Sequence, residues 1–428
     1  MSNQSREVLA FIEDLKRYAN NFDTVFWLDS CNLPNPFDIG AYELVVGLGV
    51  RDELELTHDL FNWSQFQDFI LDDSWKFFAL SYDLNQQTAG IKSIKKDVFD
   101  WPLVSCVKPK IIVTVSKSGH IDTSGVELEA LQKTLQKLTK PKKSVNAITK
   151  FESMRPSMTQ DEHKSKVNRI KSEIAKGNMY EMNLCMEYLL EGFQCSDPFV
   201  LYHNLIKVSP TPFSSYVKIK NIHVMCASPE RYVTTQNGRV YSQPIKGTSV
   251  RYEDFQKDQD SKLHLANSIK ERAEHIMIVD LVRNDLSKLS KPGSIRVDEL
   301  FGIYGYRHVN QMISTVSGNL KEKANFCKAV SASYPMGSMT GAPKQIVMKF
   351  IDELETAARG WYSGSIGYIK PNGEYDSNVV IRTLLHDSDK NLAKFDVGGA
   401  ITYDSDPDQE YLECLLKSKA IRQILDIS

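Results

Sequence analysis

The sequence predicts an α+β fold built on antiparallel strands, and three observations carry that expectation. Short β-rich runs follow one another through the first 140 residues with few long helices between them. Asn237-Gly238, a pair in which both residues tolerate positive φ, joins two β-rich arms as a hairpin. Helical apolar spacing is confined to separate stretches that carry their own start signals. At 428 residues the chain exceeds an ordinary single core, so two lobes, over residues 1–140 and 155–428 with the polar stretch Lys140 to Pro156 between them, or one large intertwined domain are expected. A composition of 42% apolar and 25% charged residues suits a soluble globular protein. The net charge of −2 argues against a nucleic-acid or membrane-surface partner. The start, MSNQSREVLAFIEDLK, lacks an apolar signal core, and the seven cysteines form no C-x-x-C pair, which suits free thiols in a cytoplasm.

In chain order, Val8 to Tyr18 reads as an amphipathic helix and Thr24 to Leu28 as a strand entering the loop Asp29-Ser30-Cys31-Asn32. Tyr42 to Leu48, Trp75 to Ser81 and Ile111 to Val115 are further strands, the last followed by a turn at Ser118-Gly119-His120 and a return strand. Leu128, Leu131, Leu135 and Leu138 share a helical face, while Trp27, Trp63, Trp75 and Trp101 read as core. Thr159-Gln160-Asp161-Glu162 is a capping box, and Gly177-Asn178 closes the helix it starts. The next strand, Met179 to Leu190, carries Glu181, which points either outward or into a pocket.

The hairpin at Asn237-Gly238 brings Glu230 towards Lys246. A two-residue loop puts these side chains on opposite faces. A three-residue loop with a glycine bulge makes them diagonal neighbours roughly 7–8 Å apart, room for a small substrate between an acid and an amine. Pro244 cannot donate to a ladder, so the second arm is irregular there.

Two acidic helices follow. His264 to Leu286 shows apolar spacing through Leu265, Ile269, Ala273 and Ile276, with Glu271 and Glu274 together on one face. The last helix starts at Asp406-Pro407, holds Glu410 and Glu413 on one face, and has Leu412, Leu416 and Ile424 as its expected buried stripe. Lys270 to Glu274 and Glu413 to Lys417 can pair locally at i,i+4. If the two carboxylate pairs face each other instead, they call for a hard cation, with Mg²⁺ the best match. Between them, Gly337 to Lys344 leads into a helix with Pro343 at its first position, leaving backbone N–H groups for an anion. Tyr362-Ser363-Gly364, a strand with Arg382 (edge-exposed or paired to a carboxylate) and a Gly398-Gly399 turn complete the pattern.

SPER, PIKGT, RAEHIMIVDLVRNDL, GSMTGAPK, YSGSIGYI, IRTL and VGGAI…SDPDQEYLE together resemble the chorismate-utilising enzymes, strongly over residues 155–425 and more weakly over the WLDS-bearing amino-terminal part. The resemblance implies antiparallel sheets packed as a sandwich with helices outside, both halves contributing strands. Lys246 in PIKGT resembles the aminodeoxychorismate synthase type, whereas anthranilate synthases typically carry alanine there. That type replaces the C4 hydroxyl of chorismate by an amino group from ammonia, for p-aminobenzoate and folate synthesis. By this likeness Lys246 is the nucleophile at ring carbon C2, in a form that asks for a lowered pKa, and Glu230 the general acid, with a raised one. Glu274 and Glu413 match Mg²⁺ ligands with Glu271 and Glu410 in support. Gly247, Thr248 and Thr340 match contacts to the ring carboxylate; Tyr362, Arg382 and Gly398 match the grip on the enolpyruvyl carboxylate. Three positions depart from the pattern: Glu181, where related amidating members carry glutamine and isochorismate-forming members a lysine; Gln311, where many have histidine; and Ala400, in place of a glycine. No cysteine has an adjacent glycine, so ammonia is expected from a separate glutamine amidotransferase, and the chain ends without room for a fused lyase. The rival readings are an anthranilate synthase component I and a non-catalytic subunit that binds chorismate or tryptophan.

Overall fold

Alternating apolar residues on long strands leave each sheet with a face to bury, and two antiparallel sheets meet that demand by stacking on each other. A computed structural model describes all residues except 1–2, 35, 41, 92, 94, 139–146, 308, 323 and 428. The first sheet runs, in spatial order, Gly341–Ala342, Glu181–Glu191, Leu392–Ile401, Thr383–Asp387, Ile222–Ser228, Phe213–Ile219, Thr24–Asp29, Tyr42–Leu48, Ile111–Ser116 and Ile121–Ser124. The second runs Ile245–Val250, Val309–Asn319, Arg239–Gln243, Arg231–Gln236, Tyr375–Asn378, Ser365–Ile369, Lys76–Leu80, Val104–Lys108 and Asp52–Leu56. Both parts of the chain contribute a block of strands to each sheet, and the blocks meet where Phe213–Ile219 pairs with Thr24–Asp29 and where Ser365–Ile369 pairs with Lys76–Leu80.

One continuous apolar cluster joins the inner faces, with Phe26 of the first sheet against Phe77 of the second at a ring separation of 5.5 Å. Helices cover the outside. The amphipathic helix Asn3–Ala19, the helix Leu128–Gln136 and the last helix share a second cluster on the outer face of the first sheet. The fold is therefore α+β, a sandwich of antiparallel sheets with helices outside. Trp27 is fully buried and Trp101 nearly so, while Trp63 and Trp75 pack at the margin of the core.

The capping box forms as read: the Thr159 side chain accepts from the Glu162 backbone and Glu162 returns the bond. Three expectations need correction. Residues 140–146 of the anticipated linker lie outside the described residues, and its later part is not free, because Ser153–Pro156 pairs with the edge of Glu181–Glu191. The stretch His264 to Leu286 is two helices, Phe255–Asn267 and Ile269–Ser287, broken at Ser268, whose side chain caps the second by accepting from the Glu271 backbone. Apolar spacing hides such a break because both helices keep the same period. The Gly398-Gly399 pair is not a turn but the middle of Leu392–Ile401, paired with Cys185 and Leu184.

For the site-bearing elements we use β1 (Glu181–Glu191), β2 (Ile222–Ser228), β3 (Arg231–Gln236), β4 (Arg239–Gln243), β5 (Ile245–Val250), β6 (Val309–Asn319) and β7 (Leu392–Ile401), with α1 (Ile269–Ser287) and α2 (Pro407–Ile424). The chain passes from the first sheet to the second between β2 and β3, at Ser228-Pro229-Glu230.

Sheet stacking sets a testable limit. A Cβ on Gly47 would stand 2.8 Å from the Phe77 ring, inside the core between the sheets. Gly47→Val should lower stability by about 1–3 kcal/mol in urea unfolding, the range for overpacked cores.

Candidate active site

The hairpin sets the frame. Asn237 and Gly238 both take positive φ (52° and 73°), and Gln236 pairs with Arg239, so the loop has two residues. The register then slips between Thr234 and Arg231, leaving Arg231 opposite Gln243. The irregularity thus sits in the first arm, not as a glycine bulge at the loop, and neither register anticipated from the sequence holds along the whole hairpin. Arg231 anchors the slip: its buried guanidinium donates to both carboxylate oxygens of Asp376 at 2.8 Å. Past Pro244 the chain continues as β5 along β6, with a second irregularity between Ile245 and Thr248. Gly247 takes a φ of +81° there, and a Cβ on it would come within 3.0 Å of a Glu271 carboxylate oxygen. This bulge turns Lys246 towards the gap between the sheets.

Across that gap stands Glu181, the first residue of β1, with Ala342 as its backbone partner. Lys246 Nζ donates to Glu181 Oε1 at 2.8 Å; the two side chains are 13% and 1% exposed. Glu181 therefore faces inward. The second Glu181 oxygen, Oε2, is buried without a hydrogen-bond partner. Burial presses the Lys246 ammonium towards losing its proton, but the Glu181 carboxylate, helped by Glu274 and Glu230, outweighs it and the pKa is raised. The lowered value expected from desolvation is thus overturned by the opposed charges.

Glu230 occupies the corner between the sheets and is 6% exposed. Burial pushes its carboxyl up to about 7, with Ser338 and the Lys246 charge pulling the other way. A cavity of 360 Å³ adjoins it, lined among others by Ser242, Asp285, Ser333 and Ser338.

The four glutamates of the two acidic helices reach the same region. Glu274 is raised to about 7 by burial, with Lys246 opposing and Glu271 reinforcing. Glu271 and Glu410 are also raised, burial first and then the charge of Glu413, whereas Lys417 holds Glu413 down. Glu413 pairs with Lys417 at 2.7 Å, Glu274 with Lys270 at 3.9 Å, and Glu410 accepts from Ser405 at 2.7 Å. Both anticipated i,i+4 pairs thus form, yet the carboxylates still feel one another across the helices. Among the described residues no three of them converge as a ready-made metal site. Their chemistry does fit a hard dication: oxygen donors from two helices, three of them with pKa values raised first by burial and then by a neighbouring carboxylate. The buried stripes differ from expectation for the same reason. Glu271, Glu274 and Glu410 turn inward, while Glu413 stays more than half exposed. Leu265 is buried and Ile424 packs at the core margin as read, but Ile269, Ile276, Leu412 and Leu416 are exposed, and Ile278, Val282, Cys414 and Ile421 are buried.

The remaining candidates fall into two groups. Thr248, opposite Gln311 on β6, is exposed beside Lys246; Thr340 is buried with its hydroxyl donated to the Met336 and Gly337 carbonyls, and its own carbonyl accepts from Asn183 of β1. Tyr362 is buried with its hydroxyl 4.0 Å from the Cys185 sulfur, and a Cβ on Gly398 would come within 2.6 Å of that same sulfur. The Gly398 carbonyl accepts from Lys417 Nζ at 2.8 Å, which links this group to Glu413. Arg382 is neither an edge residue within a strand nor paired to a carboxylate. It precedes Thr383–Asp387 with a φ of 52°, and burial alone lowers its pKa. Among the described residues no carboxylate pairs with this half-buried guanidinium. Pro343 is the N-cap rather than the first helical residue, and Lys344 is held by Asp285 and the Ser333 and Pro335 carbonyls, so it braces the loop. Ala400 keeps its place in β7, opposite Asn183. Lys417 and Ser338 went unread as site residues; the first looked only like a partner for Glu413, and nothing local marks the second.

Residues 39–423 match a family described as chorismate binding enzyme. The chain belongs to this family. It is 32% identical over 356 residues to anthranilate synthase component 1 of Saccharolobus solfataricus, covering 81% of this chain and 80% of that protein. It is 30% identical over 357 residues to aminodeoxychorismate synthase component 1 of Salmonella typhimurium, covering 83% and 75%. Against the aminodeoxychorismate synthase of Streptomyces pristinaespiralis the identity is 42% over 255 residues, which is 35% of that protein. The solved anthranilate synthase component I of Streptococcus pneumoniae shares the fold, with a TM-score of 0.77 at 24% identity over 89% of this chain and 92% of that one. No described helix is long and apolar enough to cross a membrane.

The corner placement makes Glu230 a measurable group. Its side-chain carboxyl should titrate near pH 7 by ¹³C NMR, and Lys246→Met should move the midpoint upward, because a nearby positive charge is lost.

Proposed function

We propose that this protein is an aminodeoxychorismate synthase component I, which converts chorismate and ammonia to 4-amino-4-deoxychorismate. The observation that carries the reading is a lysine amine, Lys246, enclosed with a carboxylic acid poised near neutrality, Glu230, in a member of the chorismate-binding family. Relatives named aminodeoxychorismate synthase, at 30–42% identity, support it.

In this reading the Lys246 amine forms a bond to ring carbon C2 as the C4 hydroxyl leaves, and Glu230 donates the proton that lets it leave as water. Ammonia then bonds to C4, the C2–nitrogen bond breaks, and Lys246 is released. Arg382, with Tyr362 and Gly398, holds the enolpyruvyl carboxylate; its unpaired, half-buried charge is what an anion would satisfy. Gly247 lets β5 approach the ring carboxylate closely, with Thr248 and Thr340 beside it. Glu274 and Glu413 would hold Mg²⁺, with Glu271 and Glu410 in support, and the ion would supply positive charge for the ring carboxylate. Relatives named component 1 support a separate partner subunit, which we take to be a glutamine amidotransferase supplying ammonia. The product would feed p-aminobenzoate and folate synthesis in the cytoplasm.

A second reading, anthranilate synthase component I, draws on the relative from Saccharolobus solfataricus. Mass spectrometry of the product from chorismate, Mg²⁺ and ammonium separates the two. Wild type should release aminodeoxychorismate and Lys246→Ala should lose it by about 10²-fold or more, the scale of a removed nucleophile or acid–base group. Release of anthranilate and pyruvate would establish the second reading. Arg382→Ala should raise KM for chorismate by about tenfold or more, as for loss of a charged hydrogen bond, in steady-state kinetics.

A further inference from the structure

The ammonium of Lys246 has a single hydrogen-bond acceptor among the described residues, Glu181 Oε1. The pair is not a side effect of neighbouring positions on one element. Glu181 belongs to the first sheet, pinned by backbone pairing of β1 with Gly341–Ala342, and Lys246 to the bulge of the second. Asn183, two residues along β1, fixes the same end by donating to the Ser338 carbonyl at 2.9 Å. Two separate frameworks thus aim an amine and a carboxylate at each other.

An ammonium has no lone pair, so a lysine that attacks carbon first needs a base. The charged and titratable groups around Lys246 are Glu181 on β1, Glu230 at the corner, Glu271, Glu274 and His275 on α1, and Glu413 on α2. Only Glu181 lies within ion-pair distance. Glu230 is required in its acid form. His275 Nε2 is engaged with Ser314 at 2.6 Å. Glu181 Oε2 is buried with no hydrogen-bond donor, so the carboxylate has an open position to receive a proton.

We propose that Glu181 is the base that takes the ammonium proton of Lys246, so that the pair shares one proton and presents the lysine as a free amine. This rests on the reading of Lys246 as nucleophile. The transfer converts carboxylate and ammonium to carboxylic acid and amine without net charge. Substrate filling the gap favours it, because removing water penalises the ion pair more than the neutral pair. When the C2–nitrogen bond breaks, Lys246 leaves as the amine and recovers its proton from Glu181. No oxidant, reductant or further co-reactant enters.

The test is competitive acetylation of Lys246 by acetic anhydride from about pH 7 to about pH 11, read by peptide mass spectrometry on the full chain without chorismate. Protection of the buried Lys394 reports an intact fold in each variant. Glu181→Gln should raise labelling of Lys246 near neutrality by about tenfold or more, the effect of losing an opposite charge within reach. Glu181→Asp should restore part of the protection, and Glu274→Gln should change it less than Glu181→Gln does. In turnover, a shared proton keeps the wild-type step that forms the amine flat with pH, whereas Glu181→Gln should make the rate climb about tenfold per pH unit below the lysine pKa. Unchanged labelling in Glu181→Gln, a larger shift in Glu274→Gln, or an unaltered pH profile would overturn the proposal. A non-aminated product alongside the expected labelling would overturn the functional reading and leave the proton pair standing.

Discussion

The ion pair between Lys246 and Glu181 ties a bulge of the second sheet to a strand end of the first. Its position follows from backbone irregularity rather than regular strand geometry. A bulge at Gly247 aims the lysine, and a strand end at Glu181 meets it from across the sandwich. Regular strands alternate their side chains onto two faces and would bring neither group to the gap's end. Removing one partner would leave the other as an uncompensated buried charge, which is far more costly than the pair itself.

Around that pair the molecule concentrates negative charge where a folded protein would ordinarily avoid it. Glu230, Glu271, Glu274 and Glu410 all have pKa values pushed up by burial, and lysines 246, 270 and 417 offset the charge only in part. The apolar residues of α1 and α2 that face solvent are the complement of this choice. A helix that turns glutamates inward must turn leucines and isoleucines outward. Arg382 is a half-buried cation without a carboxylate partner among the described residues. In the proposed reading, anionic substrate groups and a dication would answer these two imbalances in opposite senses.

Much of this was legible in the sequence. Turn and cap chemistry is local, so Asn237-Gly238, Thr159 with Glu162, and Asp406-Pro407 are placed as read. What failed depends on partners distant in sequence. Helical periodicity located α1 and α2 but assigned the wrong face to the interior, because an amphipathic pattern does not say which face a site will claim. The raised pKa of Lys246 is not legible locally, because burial alone lowers it and the opposing charge belongs to Glu181, 65 positions upstream. Arg382 read as a strand residue because valine and isoleucine precede it, and only the fold shows the left-handed turn.

The central claim is that the Lys246 amine becomes covalently bonded to the substrate ring. Quenching the protein with chorismate and Mg²⁺ but no ammonia, then mapping tryptic peptides by mass spectrometry, tests it directly. The account predicts that the peptide carrying Lys246 gains the mass of chorismate less one water, and that the gain disappears on adding ammonium before the quench. Turnover to product with that peptide unmodified under every quench, or the added mass on another residue, would contradict it.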